Sequence, residues 1–155
     1  MARKIDEYFY RCGVIDAFNE IVAAGVKRLA LSHPCASAKE REELLQFSEE
    51  ICKKYGTSYY VEDELLTSDL FAVSESFGKY LILYYRDREI LEKYRELKER
   101  KRDLCRRGEY CGEARRQIAL DFAWLLSYEE EAALGMIEKN QGQEDERGER
   151  RCTVS

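Results

Sequence analysis

The chain has 155 residues, enough for one domain with a sizeable core, and is 45% hydrophobic and 37% charged with a single proline. A net charge of −5 argues against a broad nucleic-acid footprint, and no stretch approaches the roughly 20 apolar residues of a membrane-spanning helix. The opening residues, Met1-Ala2-Arg3-Lys4-Ile5-Asp6-Glu7, form no apolar signal region, so a cytoplasmic protein is expected.

Residues 4–24 read as a helix. Ile5, Tyr8, Cys12, Ile15 and Val22 recur at heptad-like spacing, and Phe9, Phe18 and Ile21 widen the apolar stripe. Gly25 is placed to close it in a left-handed cap. Residues 26–31 follow as a short strand ending at Ser32-His33-Pro34-Cys35. Ser37 and Glu40 have the spacing of a capping box and predict a helix over 37–55, closed by Gly56. Thr57-Ser58-Tyr59-Tyr60-Val61 is β-rich and ends at Glu62-Asp63-Glu64. Strand, helix and strand in this order predict a βαβ unit with parallel pairing.

Residues 70–77 fit either a short helix or, slightly better, a hairpin arm, with 71–75 pairing 79–85 around Gly78. The 79–85 segment is continuously apolar and aromatic, as expected of a strand buried on both faces. The remainder is helical: 88–107, with one charged side, then 113–126, then a helix to about 139 opened by a Ser127–Glu130 capping box. Residues 140–155 have almost no apolar content and are expected to be a disordered tail.

The six cysteines are irregularly spaced and form no C-x-x-C. Reduced thiols are expected, with Cys105 and Cys111 flanking the one turn where a bridge is conceivable. Cys152-Thr153-Val154-Ser155 matches a prenylation pattern, but the preceding segment is mixed in charge and supplies no polybasic second signal, so prenylation is not expected. Residues 92–107 carry eight bases and four acids, a segregation an acidic partner could use. The interspersed acids fit an ordinary solvated helix better than a nucleic-acid surface.

The candidate chemistry follows from the strand ends. In a parallel sheet, Ser32-His33-Pro34-Cys35, Glu62-Asp63 and Arg86-Asp87 share one edge, where α/β sheets hold ligands. His33 is the only histidine and titrates nearest neutral pH. It could act as acid or base beside Glu62 or Asp63, or activate Cys35 as a nucleophile. Ser32, Ser37, Thr67, Asp69 and Arg86 are the candidate ligand-binding residues, and a small anion is the expected ligand. A metal is not expected, because zinc draws on more His and Cys than this. The sequence names no cofactor, since it has no glycine-rich phosphate loop.

The expected fold is therefore a small α/β domain over 1–139, with three or four mainly parallel strands, flanking helices and a helical carboxyl-terminal half. An α-rich α+β domain is the alternative. The expected function is binding or turnover of a small anionic ligand around His33. The alternative is a non-catalytic interaction or homo-oligomerisation module that uses the helical half, with exposed rings at Tyr94, Tyr110 and Tyr128.

Overall fold

The computed structural model describes residues 2–141. The Cys152 motif and all of the expected tail beyond Gln141 lie outside the described residues. The chain divides into two compact units, one formed by residues up to Glu64 with Lys79–Asp87, the other by Leu65–Gly78 with Arg88 onward.

The first unit holds helix α1 (Glu7–Ala23), strand β1 (Leu29–Leu31), helices α2 (Ala38–Glu42) and α3 (Leu45–Tyr55), strand β2 (Ser58–Glu62) and strand β3 (Leu81–Tyr85). Asp6 caps α1 by accepting from the Phe9 N–H at 3.1 Å. Gly25 ends it at a φ of +78°, left-handed as the glycine suggested. The single helix expected over 37–55 is two, broken between Glu42 and Leu45. Ser37 caps α2 from Glu40 N–H at 3.2 Å, while the Glu40 carboxylate reaches one residue further, to Ala36 N–H at 3.1 Å.

The sheet corrects the expected parallel α/β arrangement. Its order is β1-β3-β2, and both outer strands run antiparallel to β3. β1 and β2 do point the same way, but they never pair, because β3 fills the space between them. The central position explains why all five residues of β3 are buried. With its many helices the chain is an α-rich α+β protein. In this unit Cys12, Ile15, Val22, Ile51, Ile82 and Tyr84 form one core. Two neutral hydrogen-bonded groups sit inside it. Asn19 Oδ1 accepts from Thr57 Oγ1 at 2.6 Å, and the Ser48 and Tyr84 hydroxyls lie 2.6 Å apart.

The second unit holds α4 (Val73–Ser76), α5 (Arg88–Arg106), α6 (Gly112–Leu125) and α7 (Glu130–Asn140). The expected 71–75 hairpin is replaced by the one-turn helix α4, preceded by a buried loop. That loop is held by side chains from far along the chain. Tyr94 Oη accepts from Leu66 N–H at 3.1 Å, and Lys101 Nζ donates to the Thr67 carbonyl and hydroxyl at 2.7 and 2.8 Å. Arg115 binds both carboxylate oxygens of Asp69 at 2.8 Å, and Asn140 Nδ2 donates to Leu70 O at 3.1 Å. Asn140 is thus the last residue of α7 and a core contact, not the start of a tail.

Ser127 corrects another expectation. Its φ is +65°, and Tyr128 N–H returns to Ala123 O at 3.0 Å. It closes α6 in a Schellman turn, and Glu129 begins α7 instead. Tyr94, expected among the exposed rings, is fully buried, and Lys101 is buried as well. Cys111 is an exposed free thiol, so it forms no bridge to Cys105.

Candidate functional site

Because β1 and β2 share a direction, Ser32-His33 and Glu62-Asp63 do lie at one edge of the sheet, together with the start of β3. Arg86 does not join them. It follows β3, which runs the other way, so it leaves the sheet at the opposite edge, level with Leu29 and Ser58. There its guanidinium donates to Ala23 O at 3.2 Å and pairs with Asp87 at 3.3 Å. Thr67 and Asp69 belong to the second unit, engaged by Lys101 and Arg115.

At the shared edge the backbone is bulged. Ser32 N–H donates to Ile82 O, and Ile82 N–H donates to Ser32 Oγ, both at 2.9 Å. Pairing resumes at Cys35 with Tyr80, at 2.9 and 3.0 Å. Two residues, His33 and Pro34, thus face the single residue Leu81, and the extra one turns the His33 side chain outward. Desolvation, then the Arg11 guanidinium, lower the His33 pKa from its ordinary value, so the fold favours the neutral imidazole.

Cys35 is fully buried, and its thiol donates to the His33 carbonyl at 3.4 Å. Burial pushes that thiol up, which keeps it protonated. Ser37 is occupied in capping α2. Glu62 is buried, and its carboxylate accepts from Glu64 N–H at 3.2 Å.

The residue that the sequence reading missed is Arg41 of α2. Its guanidinium is buried at this edge and stacks over the Tyr80 ring at 5.5 Å. Nη1 donates to Glu62 O at 2.8 Å and to Asp63 Oδ1 at 2.6 Å, while Nε has no hydrogen-bond partner. No local pattern marks this arginine, since its partners lie more than twenty positions away.

Two further surfaces stand out. On α1, the expected apolar stripe is only partly core. Cys12, Ile15 and Val22 are buried, whereas Ile5, Tyr8, Phe9 and Tyr10 lie on the surface, with the Tyr8 and Phe9 rings edge to face at 5.5 Å. The signal was present in the sequence: apolar residues cover too much of the helix circumference for one face to bury them all.

Between α5 and α6 lies a groove of about 320 Å³ floored by Leu97 and Leu125, with Trp124 on its wall. Its charges are balanced. Lys93 sits 5.0 Å over the Trp124 ring and 3.3 Å from Glu89, and Arg100 pairs with Asp121.

Among the described residues no group of His, Cys, Asp and Glu is placed to hold a metal ion, and no helix is long and apolar enough to cross a membrane. Comparison with protein-family models, with curated proteins and with solved structures finds no match for this chain.

Proposed function

We propose that this chain is a non-catalytic protein-interaction module whose contact surface is the amino-terminal end of α1. One observation carries the reading: Ile5, just before the helix, and Phe9 and Tyr10 in its first turn are 69%, 71% and 59% exposed, and the Phe9 ring meets that of Tyr8 at 5.5 Å. Clustered apolar side chains in water mark interaction surfaces, and buried aromatic anchors supply much of the binding energy where two proteins meet. The chemistry at the sheet edge supports the same choice. A protonated, buried thiol and a neutral imidazole that turns outward do not make an activated nucleophile.

The test is a photoreactive phenylalanine analogue placed at position 9 in cells producing the protein, with the same group at exposed Arg106 as control. One discrete adduct specific to position 9 is expected. Equal labelling at the two positions, or none at position 9, would remove the reading.

A second reading, binding of a small anion at the His33 edge, is favoured by Arg41, a buried guanidinium whose Nε has no partner. Inorganic phosphate and sulfate should then raise the melting temperature of the protein but not of His33→Ala. A bound ion at about 100 times its dissociation constant adds about 2.7 kcal/mol. No shift with either ion would dispose of this second reading.

A further inference from the structure

We infer that the occupant of the α1 surface is a second copy of this chain, with the two α1 helices packed antiparallel. The inference rests on the interaction reading above and names its partner.

The observation behind it is Gly13. Glycine inside a helix costs about 1 kcal/mol relative to alanine. Nothing among the described residues requires it there, because Gly13 is not in the left-handed region and a Cβ would meet none of their atoms within 4 Å. It is exposed one turn after Phe9, and Ala17, one turn later, is exposed too.

The outward face of α1 therefore grades from bulky to small, from Phe9 and Tyr10 to Gly13 and Ala17. Such a face complements a copy of itself when the two helices run in opposite directions. Phe9 of each copy then covers Gly13 and Ala17 of the other, and the missing Cβ lets the ring approach the backbone. A parallel pair would set ring against ring and leave the space over Gly13 open. A two-fold axis between antiparallel helices makes both contacts at once, so the interface closes at a dimer.

Charge agrees with shape. At the bulky end Arg3, Lys4 and Arg11 outnumber Asp6 and Glu7, so the sum is positive even though Asp6 keeps its charge while capping the helix. At the small end Asp16 is taken up by the Tyr55 hydroxyl and Lys54, at 2.6 and 3.9 Å, and exposed Glu20 supplies the negative charge. Antiparallel packing brings the basic end of each copy to the acidic end of the other.

The test is sedimentation equilibrium of the full chain across a wide concentration range, with Phe9→Asp and Gly13→Leu. Both positions face solvent, so each variant should keep the circular dichroism of the parent. The expected result is a monomer–dimer equilibrium that each substitution weakens at least about tenfold, which corresponds to about 1.4 kcal/mol. Higher salt should weaken it as well.

A strict monomer overturns the second copy, and so does a dimer that ignores both variants. The position 9 adduct separates this failure from failure of the interaction reading. A monomer with an adduct of foreign mass keeps the surface and changes the partner. A monomer with no adduct removes both.

Discussion

The two units bury polar groups in different ways. The sheet unit uses neutral pairs at the centre of its core, Asn19 with Thr57 and Ser48 with Tyr84, and keeps its buried guanidinium, Arg41, out at the sheet edge. The helical unit uses charged ones. Lys101 reaches the Thr67 carbonyl and hydroxyl, Arg115 grips Asp69, and the Tyr110 ring lies 4.9 Å from the Lys101 ammonium and 5.9 Å from the Arg115 guanidinium. A neutral pair left half-made strands one dipole. A charged pair left half-made strands an ion, which costs considerably more. The loop from Leu65 to Leu70 has little regular structure of its own, so its position depends on those ions.

The largest predicted effect follows from that contrast. Asp69→Ala removes the two carboxylate oxygens that Arg115 binds at 2.8 Å, and the Arg115 side chain is only 16% exposed. Breaking a buried ion pair costs about 3–5 kcal/mol, and the partial exposure of Arg115 points to the lower end. Replacing both partners with apolar residues should recover much of the loss. Urea unfolding measures both variants, and an Asp69→Ala midpoint near that of the parent would refute the charged-clamp view.

Thr57→Val makes the corresponding change in the sheet unit, removing the hydroxyl that bonds Asn19 Oδ1 at 2.6 Å. One unsatisfied neutral acceptor costs about 1–3 kcal/mol, and the Cys52 thiol at 3.8 Å offers only weak compensation. If Thr57→Val proved as damaging as Asp69→Ala, charge would not be what separates the units.

The same contrast explains what could be read from sequence. Helix caps are local, so the Ser37 start and the Gly25 and Gly56 stops are legible from a few residues. The aromatic and β-branched segments 57–61 and 79–85 are legible as strands for the same reason. Sheet order is not, because nothing in β1 or β2 says that a third strand will insert between them. The loop before α4 resisted for a related reason. Thr67 and Asp69 are satisfied by Lys101 and Arg115, more than thirty positions away. A run of polar residues with distant partners looks the same as a run facing water. Ser127 shows the limit of even a local motif. It satisfies the capping-box spacing, yet the chain uses it to end a helix.

At the candidate site, the joint position of His33, Glu62 and Asp63 at one edge was foreseeable from the strand ends. The loss of Arg86 followed from the antiparallel β3, and the gain of Arg41 from a packing contact. The α1 surface is legible in the width of its apolar stripe, while how far along the helix the core extends is not.

Alkaline pH should sharpen the comparison from the neutral side. Burial raises the pKa of Tyr84 and of the Cys12, Cys35 and Cys52 thiols, whose ordinary values are 10.0 and 9.0. In the unfolded chain these groups lose their protons first, and in the folded chain they hold them. Stability is therefore fully present below about pH 9 and falls as pH rises through the ordinary values toward the raised ones. Unfolding free energies at pH 7, 9 and 10.5 would follow this decline. Tyr84→Phe, which loses the hydroxyl bonded to Ser48, should start lower at neutral pH and decline less. An unchanged alkaline slope in that variant would mean that Tyr84 is not a source of the effect.

The smallest effect belongs to His33 and bears on the sheet edge alone. Desolvation and the nearby Arg11 cation lower its pKa below the ordinary 6.5, so the folded state prefers the neutral ring. The stability linked to this preference is present above pH 6.5 and is lost as pH falls through the lowered value. With one histidine in the chain, a nuclear magnetic resonance titration reads a single imidazole without assignment. Its midpoint should lie below 6.5, and Arg11→Gln should move it up. Glu7 and Glu40 act in the opposite direction from the same neighbourhood, so their removal should move it down. A midpoint above 6.5 in the parent would mean that a carboxylate, not the bulged turn and Arg11, governs the ring, and would return His33 to consideration as an acid–base group.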